Sequence, residues 1–375
     1  MILDALYVDR QVVGRPETEA ACRRLGMPAE TVGSAAEVYA AVAAAQDPIG
    51  RGKRVLYLTR NKGAFVKPCP GTRHYRCCGY KILHVGTFCT MDCSYCILQS
   101  YFHPPVLQYF INHQEMDHEL EQLFATRAVH RLGTGEFTDS LIWEPWTGLS
   151  ARLIRKFADQ DGCVLELKTK TVGIETLLDL PHRRRTILAW SLNAERVIRA
   201  EERGTAPLGA RLKAAARAAA HGYPLAFHFD PIVIAENGEA DYLRAVERLF
   251  AAIDPGHIVW ISMGALRFMS ELKTIVQRRF ERSQIVYGEF IAGLDGKIRY
   301  FKPLRMRAYR ALAAAIRAHA PEVCVYLCME DDEVWRHALG FTPAERGGLA
   351  RMLDEAAVER CGLKPAGEGV GPVDS

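Results

Sequence analysis

The chain has 375 residues, 49% of them hydrophobic and 25% charged, with a net charge of +4. That is ordinary for a soluble globular enzyme, long enough for one large domain with a small appendage, and no apolar run approaches the roughly 20 residues of a membrane helix. The mild positive charge permits contact with nucleic acid without arguing for it. The start, "MILDALYVDRQ", carries charge where a signal peptide has its apolar core, which predicts a cytoplasmic protein; eleven cysteines there point to metal or redox chemistry rather than structural disulfides.

The first residues read as a small α/β module. "LDALYVD" (3–9) alternates like a strand, "AAEVYAAVAAAQ" (35–46) is rich in helix formers, and "RVLYLT" (54–59) is a second strand. Residues 61–80, "NKGAFVKPCPGTRHYRCCGY", are dense in turn residues and predict a connecting loop. From 81 a rhythm begins. Apolar runs at 81–86, 129–135, 163–169, 186–192, 224–229 and 257–262 predict strands; 116–127, 150–160, 173–180, 207–222 and 239–253 predict helices between them. Such alternation means a parallel sheet, either open and doubly wound or a partial barrel. A helix is expected over 303–320 and a disordered tail over 362–375.

At the end of the first strand of that series stands "GTFCTMDCSYC", with Cys89, Cys93 and Cys96 in C-x3-C-x2-C spacing. Ligands of parallel sheets bind at the carboxyl ends of strands, so the loop is placed for a site. Thiolates suit zinc or iron–sulfur clusters. Structural zinc wants a fourth ligand, and no matching C-x2-C or H-x3-H follows. Three thiolates on a four-iron cluster leave one iron open to a chelating cofactor.

The spacing, with aromatic Tyr95 before the last cysteine, resembles the signature of the radical S-adenosylmethionine (SAM) enzymes. "CSYCILQ", "TKTVGIETLLD" (169–179), "SLNAERVI" (191–198), "ERGTAPLGARLKAAARAAAHGYPLAFHFDPI" (202–232) and "LRF" (266–268) are similar to consecutive segments of the spore photoproduct lyases. The resemblance runs over roughly 80–290. It implies a partial (βα)6 TIM-type barrel at 76–265, behind an N-terminal α/β module and Cys-rich linker at 1–75 and before a C-terminal helical extension at 266–361. It implies a 4Fe–4S cluster on Cys89, Cys93 and Cys96, SAM on the open iron, and reductive cleavage of SAM to methionine and a 5′-deoxyadenosyl radical. The substrate it implies is a thymine photoproduct in UV-damaged DNA, with an electron donor such as flavodoxin or ferredoxin and no membrane partner. On matching positions Lys170 and Ser191 would hold SAM, with Asn193 beside them; a lysine suits the methionine carboxylate. "GTGEFTDS" (133–140) resembles the Gly-Gly-Glu turn of radical SAM enzymes, which gives Glu136 the SAM ammonium and sets Thr138 and Asp139 near it.

The chain departs from that family at three places. Glu136 stands where the lyases carry a hydrogen-donating cysteine, Ile97 where they carry a second relay tyrosine, and "VYGEFIAGLDGKIRYFKP" (286–303) has few of the cations of their DNA-binding hairpin. The missing donor and three spare thiols suggest that Cys69, Cys77 or Cys78 supplies the hydrogen atom; burial in the core and a second metal are the competing roles for these three. Cys163, Cys324 and Cys328 are read as core, residues 101–113 as a packed aromatic lid or a base-stacking surface, and "HRRR" (182–185) as a solvated turn. Two rival functions stay open: a radical SAM enzyme on a small molecule, peptide or RNA, and a non-catalytic iron–sulfur protein that binds nucleic acid.

Overall fold

The computed structural model describes residues 3–364, apart from 72, 73, 104, 127, 236 and 237; the tail expected from 362 lies outside the described residues from 365 on. The main sheet follows the chain: Lys81–Leu83, His130–Gly133, Cys163–Thr169, Thr186–Ser191, Leu225–Ile232, Ile258–Ala265 and Cys324–Leu327, all parallel, with Val66–Pro68 antiparallel on the first edge. The central strands are near-continuous apolar runs because helices cover one face and packed side chains fill the other. Leu149–Ala158 and Leu208–Ala220 bury one stripe each, with Leu153, Ile154 and Phe157 on the first and Leu208, Leu212 and Ala215 on the second.

The sheet curls into part of a barrel. His228, on the fifth strand, meets Glu166 across the intervening Thr186–Ser191 strand, and its Nδ1 lies 2.7 Å from Ser262 Oγ on the sixth. Only side chains on a concave face can meet in this way.

Four expectations change. The six-strand series gains a seventh parallel strand, Cys324–Leu327, contributed by the C-terminal extension, which also forms a small antiparallel sheet of Arg267–Phe268, Ile298–Tyr300 and Phe290–Ala292. Residues 173–180 hold only a 3-10 turn, Glu175–Leu177, because Gly173 and Pro181 confine a segment whose apolar residues pack downward one by one. The expected loop over 61–80 contributes the edge strand Val66–Pro68. "HRRR" is not a solvated turn: Arg184 donates to the Arg360 carbonyl at 2.7 Å, and Arg185 donates to Asp161 at 2.7 Å and to the Cys361 carbonyl. These contacts fasten the Leu349–Cys361 helix to the amino ends of the strands.

The N-terminal module is a second sheet in the order Ala29–Val32, Ala5–Asp9, Val55–Thr59, Leu107–Phe110 and Gly86–Thr87, parallel except for the last strand. The aromatic stretch after the cysteines thus runs back into this sheet, with Leu107, Tyr109 and Phe110 buried. Among the described residues no helix is long and apolar enough to cross a membrane.

Candidate active site

The cysteine loop is held from three sides. Below it, Lys53 of the N-terminal module is 4% exposed; its ammonium donates to the carbonyls of Cys89 (3.2 Å) and Met91, and lies 4.5 Å from the Phe88 ring centroid. From the side, Arg279 pairs with Asp92 at 2.9 Å and donates to the Gln99 amide oxygen, while Gln99 Nε2 donates to the carbonyls of Cys93 and Ser94 at 3.0 Å. From the third side, Asp92–Cys93 pairs antiparallel with Glu202–Arg203 in a two-stranded ribbon. Phe88 takes a φ of 70°, and its N–H donates to the Phe137 carbonyl at 2.8 Å, which joins the loop to the turn after the second barrel strand.

Cys89 and Cys93 are buried and Cys96 is half-buried. Burial pushes Cys89 up to about 12 and Cys93 well above the usual thiol range. Among the described residues no three ligating side chains gather on a single-ion point. Three soft donors, each on its own stretch of anchored backbone but within electrostatic reach of one another, suit separate irons of a cluster better than one tetrahedral ion.

Beside the loop lies a buried polar hub. Glu202 is paired with Arg211 at 2.5 Å and Lys170 at 3.2 Å, accepts from the Tyr95 hydroxyl, and lies 3.4 Å from Asn193 Nδ2. Burial works to raise its pKa, but the Lys170 and Arg211 charges outweigh it and bring the carboxyl down to about 2. Asn193 is further held by the Pro231 carbonyl at 3.0 Å and by Tyr242 at 2.5 Å. Arg211 also donates to the Ser191 carbonyl at 2.8 Å, whereas the Ser191 hydroxyl has no hydrogen-bond partner among the described residues.

The turn 133–140 is clamped by Asp139, whose carboxylate accepts from Leu141 N at 3.0 Å, Thr169 Oγ1 at 2.8 Å and Lys170 N at 2.8 Å. Thr138 is buried and bonds only within this turn, 3.4 Å from the Asp139 carbonyl. Gly133 has no room for a side chain, since a Cβ would fall 1.5 Å from the Tyr80 hydroxyl; at Gly135 it would press on Lys168 at 3.0 Å. Glu136 is half-exposed and lies 3.8 Å from Lys168.

The remaining thiols divide. The described residues 74–80 lie along the open side of the curled sheet: Arg76 N donates to the Glu330 carbonyl at 3.2 Å beyond the last strand, and Arg131 of the second strand donates to the Cys78 carbonyl. Cys77 and Cys78 sit in this wall, side by side and electrostatically coupled. Cys69 and Cys328 instead share the mouth with Glu136 and Lys168. Cys328 therefore departs from the core role expected of it, whereas Cys163 is buried as expected. Sequence reasoning also missed Lys53, Gln99, Glu202, Arg211 and Arg279. Glu202 and Arg211 fall inside a stretch that resembled the lyases, yet nothing local marks either as a partner of Tyr95.

A family model described as spore photoproduct lyase matches residues 76–291. A spore photoproduct lyase of Bacillus subtilis is 30% identical over 209 residues, covering 54% of this chain and 61% of that protein. One from a Geobacillus species is 24% identical over 206 residues, covering 54% and 60%. The alignments thus span about three fifths of these relatives' length. Among solved structures, a spore photoproduct lyase complexed with dinucleoside spore photoproduct superposes with a TM-score of 0.74 at 18% identity, covering 87% of this chain and 98% of that one. A variant with bound AdoMet and dinucleoside spore photoproduct gives 0.75 at 18% over the same shares. At that identity the likeness is one of fold.

Proposed function

Because the chain belongs to the spore photoproduct lyase family, we propose that it is a radical SAM enzyme whose substrate is a thymine photoproduct in DNA. The observation that carries the reading is the anchored loop with Cys89, Cys93 and Cys96, set at the carboxyl edge of the sheet against the Glu202 hub. These three thiolates would ligate a 4Fe–4S cluster. When bound, the cluster with SAM on its open iron would supply one-electron cleavage of SAM to methionine and a 5′-deoxyadenosyl radical.

The chain's own residues bind and orient. The free Ser191 hydroxyl and the half-exposed Glu136 carboxylate offer SAM an uncommitted hydrogen-bonding group and a partner for its ammonium. Lys170, neutralised by Glu202 at rest, offers its ammonium to the methionine carboxylate. Asp139, Thr138 and Asn193 shape the wall, Asp139 by tying the Glu136 turn to Lys170. Phe102, Phe137 and His84 pack edge to face, with Tyr101 stacked on Phe137, and keep water from the loop. The electron comes from a donor of the flavodoxin or ferredoxin class. Eleven free cysteines suit a reducing cytoplasm.

A second reading, the same chemistry on a small molecule, peptide or RNA, is favoured by one observation. In the hairpin Phe290–Ala292/Ile298–Tyr300 both cations are spent on Asp295, Lys297 at 3.8 Å and Arg299 at 2.6 Å, and Leu294 at the tip is 72% exposed. Duplex binding needs free cations for phosphates.

Anaerobic protein reconstituted with iron and sulfide, then given dithionite and SAM, tests both. The expected outcome is 5′-deoxyadenosine, and thymine restored in UV-irradiated oligonucleotide. Iron without 5′-deoxyadenosine leaves only a binding protein. 5′-Deoxyadenosine with the photoproduct untouched moves the substrate to the second reading.

A further inference from the structure

The mouth of the curled sheet holds a second group of reactive side chains besides the Glu202 hub. Cys328 follows the last parallel strand, its N–H donating to the Met263 carbonyl at 2.9 Å. Alternation with Tyr326, which lies within reach of Glu166, places the Cys328 side chain on the concave face. Arg267 Nη2 lies 3.4 Å from Cys328 Sγ. That guanidinium is itself fixed, by Asp230 at 3.1 and 3.2 Å and by the Ala265 carbonyl at 3.3 Å. The pair needs the bare backbone of Gly264, where a Cβ would stand 2.6 Å from Asp230 Oδ2. Lys168 and Glu136 complete the ring of charge around the sulfur. Cys328 is only partly buried, whereas Cys163 and Cys361 are closed off in the core.

We propose that Cys328 is the hydrogen-atom donor to the substrate radical in this chain. The proposal rests on the radical SAM reading above. In the step, the S–H bond breaks and a C–H bond forms on the substrate radical, leaving a thiyl radical on Cys328. One electron from the flavin or iron–sulfur donor and one solvent proton return it to the thiol.

The competing groups are less suited. Glu136 occupies the turn that faces the same mouth, but a carboxyl O–H is a poor hydrogen-atom donor. Cys77 is pulled down to about 5, first by its neighbour Cys78, which disfavours it as a hydrogen donor. Cys328 keeps its proton at neutral pH: burial pushes it up to about 11 although Arg267 works the other way. Cys69 and Cys78 are the remaining rivals, both raised above the usual thiol range and within reach of Cys328, but they belong to the wall segment rather than to a strand end.

The test compares reconstituted wild type, C328A, C328S and C69A in deuterium oxide with dinucleoside spore photoproduct as the probe. Exchangeable thiols become S–D, so the wild-type product carries one solvent deuterium. In C328A and C328S, label in the product falls at least tenfold while 5′-deoxyadenosine still forms, and C69A labels its product like wild type. Serine keeps the shape of the site, so the same result in both Cys328 variants is not a folding effect. Wild-type labelling in C328A, or loss of label in C69A alone, overturns the assignment. Wild-type protein that forms no 5′-deoxyadenosine overturns the radical reading, and this proposal with it.

Discussion

Lys170 Nζ lies 3.2 Å from the Glu202 carboxylate and, at the same distance, donates to the Tyr95 hydroxyl. One carboxylate thus fixes both the lysine assigned to SAM and the aromatic residue inside the cysteine motif. Glu202→Ala leaves the Arg211 guanidinium buried without its partner, which costs on the order of 3–5 kcal/mol. Glu202→Gln keeps the shape and costs less. Urea unfolding of the two variants checks the order, and equal stability of Glu202→Ala and wild type would remove the hub from the account.

Gly133→Ala should be among the most damaging small changes in the sheet, because its Cβ falls 1.5 Å from the Tyr80 hydroxyl and 2.6 Å from the ring carbon that bears it. Overpacking of this kind typically costs about 1–3 kcal/mol. Combining it with Tyr80→Phe should restore part of that loss, since the nearest atom is gone and the ring stays. A double-mutant cycle by thermal unfolding measures the coupling, and additive losses would contradict the contact.

Acidification should weaken the fold before the carboxylates titrate. His113 is buried against the Tyr109 hydroxyl at 3.0 Å; burial, helped by the Arg152 charge, lowers its pKa from 6.5 to about 4. The folded state therefore refuses a proton that the unfolded chain accepts. This stability is complete above the unfolded value and falls as pH drops from 6.5 towards 4, by up to about 3 kcal/mol at 1.36 kcal/mol per unit. His113→Gln should flatten that slope in denaturant titrations at pH 7, 5.5 and 4.5; an unchanged slope would show that the proton goes elsewhere.

Asp139→Ala should unfasten the Glu136 turn. Three donors lose their acceptor at once, Leu141 N, Thr169 Oγ1 and Lys170 N. Each such group left unsatisfied costs about 1–3 kcal/mol when buried. The variant should lose stability on that scale and bind SAM at least tenfold more weakly under anaerobic conditions, with Asp139→Asn intermediate. Wild-type SAM affinity in a destabilised variant would separate the clamp from the cofactor.

The sequence was legible where a local property decides the structure. Cys163–Thr169 announces itself because a strand buried on both faces must be apolar nearly throughout. The cysteine loop was legible for a similar reason, since the spacing of Cys89, Cys93 and Cys96 is set within eight residues. Cys324–Leu327 also reads as a strand, but its membership of the main sheet depends on the fold bringing it beside Ile258–Ala265. Residues 173–180 misled because Ile174, Leu177 and Leu178 mimic a helical stripe that is too short and too confined to wind. Glu202 was invisible because its meaning is a meeting with Tyr95, 107 positions away. Cys328 looked like packing until Arg267 supplied a neighbour that packing would not choose.

Lys53 lies outside the 76–291 stretch that matches the family, yet its ammonium supports the loop at the carbonyls of Cys89 and Met91. A fragment trimmed to the recognisable portion would lose that prop, along with the Cys324–Leu327 edge and the helix that caps the underside. The homologous segment is thus a keystone without its arch, and the loop of Cys89, Cys93 and Cys96 would lose its support from below.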